Sequence, residues 1–152
     1  AGTANNGVDQ EQVDIAMTGW RAHVLVHDRL DCLDIGVLPH VALRSVGDAY
    51  MVRDDDLLES ALGRPHATVF GADAYPDLYG KAAALMHSLA KNHPLADGNK
   101  RLCWTACRTF LALNGIHVKA TIEDRFSFVV AVAAGQVSDV AAIAAQLRAW
   151  SV

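Results

Sequence analysis

The nine-residue stretch that joins two predicted helices reads HPLADGNKR, from His93 to Arg101. Pro94 disfavours the α conformation for the residue before it, so a helix that arrives from upstream should end at His93. From Gly98 onward, apolar residues recur at helical spacing as far as Leu113, and a glycine soon follows as a typical helix stop. The stretch therefore predicts an exposed, amide-bearing end of a buried helix, which is a favourable site for an anion.

The side chains of this stretch suit a triphosphate and its metal ion. Neutral His93 can accept a proton from a hydroxyl near neutral pH. Asp97 is a hard oxygen ligand of the kind that Mg²⁺ takes beside phosphate oxygens. Lys100 and Arg101 can balance phosphate charge, and Asn99 can either donate to a phosphate oxygen or hold the loop in shape. Phosphoryl-type transfer needs mainly such positioning and charge, because the protein does little covalent chemistry.

The same residues also have a purely structural interpretation. Asp, Gly, Asn and Lys are common turn and cap residues in front of any helix, and a lone His beside a Pro often has no role. The stretch is not a P-loop, because no glycine lies five residues upstream of Gly98 and Arg101 stands where a hydroxyl residue is needed. A metal pair of His87 and His93 is a further alternative, which the lack of a third ligand at suitable spacing disfavours.

The stretch resembles the signature of the Fic/Doc family, His-Pro-Phe-x-Asp/Glu-Gly-Asn-Gly/Lys-Arg, and differs from it only at Leu95, which replaces Phe. Two flanking blocks are similar to the family as well: FLALNG at 110–115, and VRDDDLLESAL at 52–62, which resembles the Doc ("death on curing") branch. The resemblance implies a compact all-α domain of about six or seven helices. It also implies a small β flap near Val69, which in the family lines up the target segment.

Carried over residue by residue, the resemblance implies a nucleotide-dependent transferase that modifies a protein hydroxyl. His93 would be the general base, and Asp97 would hold Mg²⁺. Gly98 and Asn99 would form the anion site at the helix start, and Arg101 would bind a nucleotide phosphate. Leu95 should still anchor the loop in the core, although with less area than Phe.

Lys100 separates the function hypotheses, because most AMP-transferring members have a second Gly at this position. A Lys is typical of Doc proteins, which resemble them but transfer the γ-phosphoryl group of ATP to elongation factor Tu. The first hypothesis is therefore a Doc-like toxin kinase that uses ATP and Mg²⁺ and blocks translation. The alternatives are a Fic-type AMP transferase and, more remotely, a non-catalytic helical interaction protein. Autoinhibited members carry a Ser/Thr-x-x-x-Glu helix, which is not found before this signature, so control by a separate small antitoxin is expected.

Composition limits the function classes. A net charge of −4 without a basic arm or stripe argues against a nucleic-acid binder. No stretch reaches the length of a membrane span and no signal peptide is visible, so a cytoplasmic protein is expected. The three cysteines, Cys32, Cys103 and Cys107, suggest free thiols in a reducing compartment. The last two share one helix face, which predicts core packing rather than metal binding.

The chain should form one domain over residues 17–152, preceded by a polar tail or cloning remnant over residues 1–16. A loop or short hairpin is expected over Ala67–Tyr75. Apolar periodicity and cap residues predict helices over Met17–Leu33, Asp54–Leu62, Pro76–Asn92, Gly98–Asn114, Thr121–Ala134 and Val140–Trp150.

Overall fold

The computed structural model describes residues 51–152, and the structural statements below concern this part of the chain. Within it, five α-helices surround a short 3₁₀ turn and one antiparallel hairpin, so the predicted helical class with a small β flap is confirmed. The predicted helix over Met17–Leu33 and the domain boundary after residue 16 lie outside the described residues. In chain order the elements are α1 (Asp55–Gly63), the 3₁₀ turn (Arg64–His66), β1 (Thr68–Val69), β2 (Ala72–Asp73), α2 (Leu78–Asn92), α3 (Asn99–Leu113), α4 (Ile122–Ala133) and α5 (Val140–Ala149).

Four of these five helices begin at a side-chain cap. Asp54 caps α1, Asp77 caps α2, Thr121 caps α4 and Asp139 caps α5, each by accepting backbone N–H groups of the first turn. Such caps satisfy amides that have no partner inside the helix, which explains why short local patterns predicted the helix starts. The exception is α3, which begins at Gly98 without a side-chain cap.

The core lies between α2 and its neighbours, and α2 packs most extensively against α3 and then α5. Two apolar stripes of α2 are buried from its second turn onward, where small alanines allow close helix contact. One contains Ala82, Leu85 and Leu89, and the other contains Ala83, Met86 and Ala90. The largest fully buried side chains include Phe110, Leu85, Met86, Leu89, Leu102, Leu111, Ile143 and Leu147.

Cys103 and Cys107 lie within this core, as predicted, and both are free thiols. Burial raises the pKa of Cys103 to about 12 and raises the pKa of Cys107 as well, which disfavours the thiolate form of both side chains. The alternative of a metal pair at His87 and His93 finds no support, because residues 51–152 contain no group of three or more His, Cys, Asp or Glu that could hold a metal ion. Burial, followed by the charges of Arg64 and Lys91, instead lowers the pKa of His87.

The predicted hairpin is tied to the core by a buried lysine. Thr68 pairs with Asp73, and the turn at its tip exposes Phe70 completely. The ammonium group of Lys81, which is 6% exposed, lies 3.1 Å from Oδ2 of Asp73 and 3.2 Å from the carbonyl oxygen of Pro65. The ion pair therefore fixes the base of the hairpin to α2, while the tip remains open to solvent.

Across residues 51–152, no helix combines the length and the apolar character that a membrane crossing requires.

Candidate active site

The helix α2 ends at His93 in the left-handed conformation, with φ of 46° and ψ of 58°. The backbone N–H of His93 still donates to the carbonyl of Leu89 at 3.3 Å, but Pro94 has no N–H with which to continue the helix. Histidine is one of the few residues found repeatedly in this region, which nevertheless costs about 1–3 kcal/mol for a residue with a side chain. The predicted general base thus lies at a strained and exposed helix end.

Two apolar residues insert the loop into the core directly after His93. Pro94 is less than 2% exposed and Leu95 is 2% exposed, so Leu95 anchors the loop as expected despite replacing the larger Phe. Burial of such a side chain contributes about 2 kcal/mol. Pro94 and Leu95 therefore fix the loop to the core, while the side chains of His93 and Asp97 are exposed.

The side chain of Asn99, the first residue of α3, is hydrogen-bonded to the backbone of Leu95 in the middle of the loop. Its side-chain Oδ1 accepts from the N–H of Leu95, and its Nδ2 donates to the carbonyl of Leu95, both at 2.9 Å. The sequence left open whether this amide holds the loop or contacts a phosphate, and in the structure it satisfies both backbone groups of one buried residue. The side chain of Asn99 therefore holds the loop in shape.

The helix α3 opens onto this loop without a capping side chain. Gly98 is its N-cap, with φ of 87°, a conformation that suits glycine, and the helix has no side-chain cap hydrogen bond. The carboxylate of Asp97 lies beside the opening, where Oδ1 accepts from the N–H of Gly98 at 2.8 Å. Because Asp97 is exposed, its carboxylate is also accessible to a metal ion.

The two cations of the stretch belong to the first turn of α3. Lys100 and Arg101 are both exposed, and both follow directly on the open N-terminus of the helix. The helix dipole and free amides of such an end favour negative charge, and nearby cations add to that attraction. All six residues predicted for the site therefore lie on one continuous surface feature, the loop from the end of α2 to the first turn of α3, hereafter the site loop.

A second chain segment, residues 51–54, contacts the site loop, and the sequence had given no role to the side chain of Arg53 within it. Val52 and Leu95 form an antiparallel bridge, and the N–H of Ala96 donates to the carbonyl of Met51 at 2.9 Å. The guanidinium of Arg53 donates to the carbonyl of His93 through Nε at 3.1 Å and through Nη2 at 3.0 Å. The only sequence signal for this contact was that Arg53 belongs to the block similar to Doc proteins.

This arrangement is chemically suited to group transfer from a nucleotide. It combines an exposed imidazole, an exposed carboxylate, an uncapped helix start and two exposed cations within one ordered loop. The imidazole can take a proton, the carboxylate can bind a divalent cation, and the helix start with its cations can bind phosphate.

Comparison with known proteins agrees with this arrangement. Residues 26–111 match the model of the Fic/DOC family, a range that includes the entire site loop. The chain is also 44% identical over 125 residues to the protein "Toxin Doc" of Mycolicibacterium smegmatis, an alignment that covers 82% of this chain and 92% of that protein. No solved structure gives a significant match. The match to the family model and the extent of the similarity establish that this chain belongs to the Fic/DOC family.

Proposed function

We propose that the protein is a Doc-like toxin of a toxin–antitoxin module and that it transfers the γ-phosphoryl group of ATP to a hydroxyl of a target protein. The observation that carries this proposal is the site loop, in which an exposed imidazole and an exposed carboxylate lie beside an uncapped helix start. The similarity to Toxin Doc supports the toxin assignment. Elongation factor Tu is the target that the family resemblance favours.

In the proposed reaction, His93 accepts the proton of the target hydroxyl while the hydroxyl oxygen attacks the γ-phosphorus. The bond from this phosphorus to the oxygen that bridges it to the β-phosphate breaks, so ADP leaves and a phosphate ester remains on the target. Such a step depends mainly on alignment and charge, which the pinned site loop and the first turn of α3 are suited to supply.

The phosphates are proposed to bind at the open start of α3, with Arg101 as a bidentate donor and Lys100 as a point charge. Asp97 would hold Mg²⁺ together with phosphate oxygens. The donor set fits this ion, because Mg²⁺ on nucleotides commonly takes only one or two protein carboxylates and the rest of its ligands from phosphates and water. When bound, the ion neutralises phosphate charge during transfer.

Lys100 supports phosphoryl transfer over AMP transfer. A lysine at this position brings bulk and charge to a place where glycine leaves room for phosphate, so it can change which phosphorus faces the hydroxyl. The side chain is exposed in the first turn of α3, where a triphosphate at the helix start would meet it. The direction in which ATP binds is therefore proposed to follow from this residue.

A small antitoxin is the proposed partner that keeps the toxin inactive. The name of the Mycolicibacterium relative identifies that protein as a toxin, and a toxin needs a means of restraint in the cell that makes it. We place this control in a separate protein, because residues 1–92 contain no Ser/Thr-x-x-x-Glu segment of the inhibitory type.

The decisive experiment uses two radiolabels. The protein is incubated with purified elongation factor Tu, Mg²⁺ and ATP labelled at either the α- or the γ-phosphate. We expect label on the target from γ-labelled ATP alone, together with a phosphate-sized gain in intact mass. Transfer of the α label with an adenylate-sized gain would instead identify an AMP transferase.

A His93→Asn variant provides the matched negative control, because asparagine also tolerates the left-handed conformation but cannot act as the base. Repeating the incubation with a bacterial lysate distinguishes a wrong target from a lack of activity. If neither label reaches any protein, the kinase and the AMP transferase proposals both fail.

A further inference from the structure

Arg53 makes an unusual set of contacts with the end of α2. Its Nη2 donates to the carbonyl of Asn92 at 3.3 Å and to the carbonyl of His93 at 3.0 Å, and its Nε donates to the latter at 3.1 Å. Its backbone N–H donates to the carbonyl of Pro94 at 2.7 Å. A single residue therefore binds three successive carbonyl groups, and His93 is at the centre of the three.

These contacts determine the direction of the His93 side chain. The carbonyl of Asn92 lies in the peptide plane before the Cα atom of His93, and the carbonyl of His93 lies in the plane after it. When both planes are held, φ and ψ of His93 are held, and the direction of its Cβ atom follows. The guanidinium of Arg53 thus holds the strained backbone that presents the imidazole.

The planar guanidinium of Arg53, with donors at both Nε and Nη2, is suited to hold the carbonyls of Asn92 and His93 in fixed positions. An arginine presents several N–H groups in one rigid plane, whereas a lysine is a point charge on a flexible chain. The cation also lies at the negative end of the α2 dipole, where the last carbonyls have no partner inside the helix. A charge alone would satisfy the dipole, but only the planar guanidinium places two donors, Nε and Nη2, on the His93 carbonyl while Nη2 also reaches the Asn92 carbonyl.

We propose that Arg53 is a positioning residue for His93, which holds the backbone of the general base in its productive left-handed conformation. The inference rests on the proposed function, because it takes His93 to be the base. The segment that supplies Arg53 is itself fixed independently of the guanidinium, through the bridge between Val52 and Leu95 and through the capping of α1 by Asp54. Removal of the side chain should therefore release His93 without unfolding the domain.

The test compares the wild type with Arg53→Ala, Arg53→Lys and Arg148→Ala. Arg148 is a matched control, because it is an exposed arginine that contacts Asp77 and Tyr79 at the opposite end of α2 from His93. The first readout is the Cε1–H signal of His93 in a ¹³C-histidine NMR spectrum, assigned by its loss in His93→Ala. We expect this signal to shift and broaden in Arg53→Ala and to remain unchanged in Arg148→Ala.

The second readout is the transfer rate from γ-labelled ATP to elongation factor Tu. We expect Arg53→Ala to lower kcat by about 100-fold, the effect of misplacing a catalytic group by about 1 Å, with KM for MgATP changed less than about threefold. Arg53→Lys should recover only a small part of kcat, because it restores the charge but not the planar guanidinium.

The outcomes separate this inference from the proposed function. If the His93 signal of Arg53→Ala superimposes on that of the wild type, or if kcat is unchanged, Arg53 does not position His93. If the wild type transfers no label, the proposed function fails, while the NMR comparison still decides whether Arg53 positions the imidazole. If Arg53→Ala does not fold, the Arg53→Lys variant is used to test the inference. Full kcat with an unchanged His93 signal in this variant would overturn the inference. A reduced kcat with a shifted His93 signal would support it.

Discussion

The two central helices are equally long and pack against each other, yet they begin in opposite ways. α2 and α3 each contain 15 residues. At the start of α2, Asp77 accepts from the N–H of Gly80 at 2.7 Å, so a carboxylate of the protein already occupies the amide end. At the start of α3, Gly98 provides no such group. The same backbone end thus has a side-chain cap in one helix and none in the other, where only the Gly98 N–H is bonded to a carboxylate, that of Asp97, and where we propose that the phosphates bind.

The open end costs the domain little stability. Replacing a capping side chain by glycine lowers stability by only about a few tenths of a kcal/mol. The larger cost lies just before it, where the left-handed His93 is strained by about 1–3 kcal/mol. The burial of Leu95 and the hydrogen bonds of Asn99 offset this strain, so the loop between the two helices is both strained and ordered.

The largest effect is expected from His93, which lies between the two helix ends. His93→Ala should lower phosphoryl transfer by about 10²- to 10⁴-fold, the usual contribution of a general base, with little change in the Kd of MgATP. Transfer rates and calorimetric titration check the two expectations. Toxicity in cells that survives this substitution would favour a non-catalytic interaction protein.

Gly98→Asp is the most direct way to reduce the contrast between α2 and α3, because it places at the N-cap position of α3 a carboxylate like the one that α2 has. The added carboxylate should weaken MgATP binding by about 100-fold, since like charges about 4 Å apart near a surface repel by up to about 4 kcal/mol before salt screening. Gly98→Asn is the matched control, with a similar shape and a similar tolerance of positive φ but no charge. Equal losses of affinity in the two variants would mean that backbone strain, not charge, matters here.

Substitution of Asn99 tests whether the conformation of the site loop depends on the two hydrogen bonds between the Asn99 side chain and the backbone of Leu95. Asn99→Ala leaves the N–H and the carbonyl of the buried Leu95 without their partner, which should lower the free energy of unfolding by about 2 kcal/mol. Urea denaturation measures the change. Asn99→Asp keeps the acceptor but loses the donor, so an intermediate loss is expected. A neutral Asn99→Ala would show that the loop is held by Leu95 alone.

The smallest effect is expected at the closed end of α2. Asp77→Ala removes the cap and should lower the free energy of unfolding by about 1 kcal/mol without changing the Kd of MgATP. Asp77→Asn keeps a capping oxygen but loses the exposed ion pair with Arg148, so it should be close to wild type. A loss of nucleotide affinity in either variant would contradict the separation between the closed and the open helix starts.

The helix limits were largely predictable because their causes are local. A cap residue acts on amides two or three positions away, as with Asp54 and Thr121, and both appear in the sequence beside the turn they stabilise. The apolar spacing of residues 76–92 likewise predicted the helix that the structure contains as α2. The six candidate site residues could be proposed from the sequence for the same reason, since all lie in one short stretch between two helices, and their roles stay predictions.

The contacts that hold the site were less predictable because their partners lie far apart in the chain. Arg53 reaches the carbonyl of His93 across 40 positions, and nothing in the local pattern of either residue indicates the pairing. The role of Asn99 stayed open between phosphate and loop until the position of Leu95 was known. Lys81 lies within a predicted helix, but its bonds to Asp73 and to the carbonyl of Pro65 depend on the tertiary structure that brings these residues to it.

The order of residues along this chain was enough to establish where the helices of the described part begin and end, which faces are apolar, and that an imidazole, a carboxylate and two cations surround an uncapped helix start. These properties depend on helical periodicity and on hydrogen bonds within a few residues. Only the tertiary structure decided how His93 is held, because the orientation of a strained residue depends on groups that packing brings to it. For His93 that group is the guanidinium of Arg53, which reaches the carbonyls on both sides of its Cα atom.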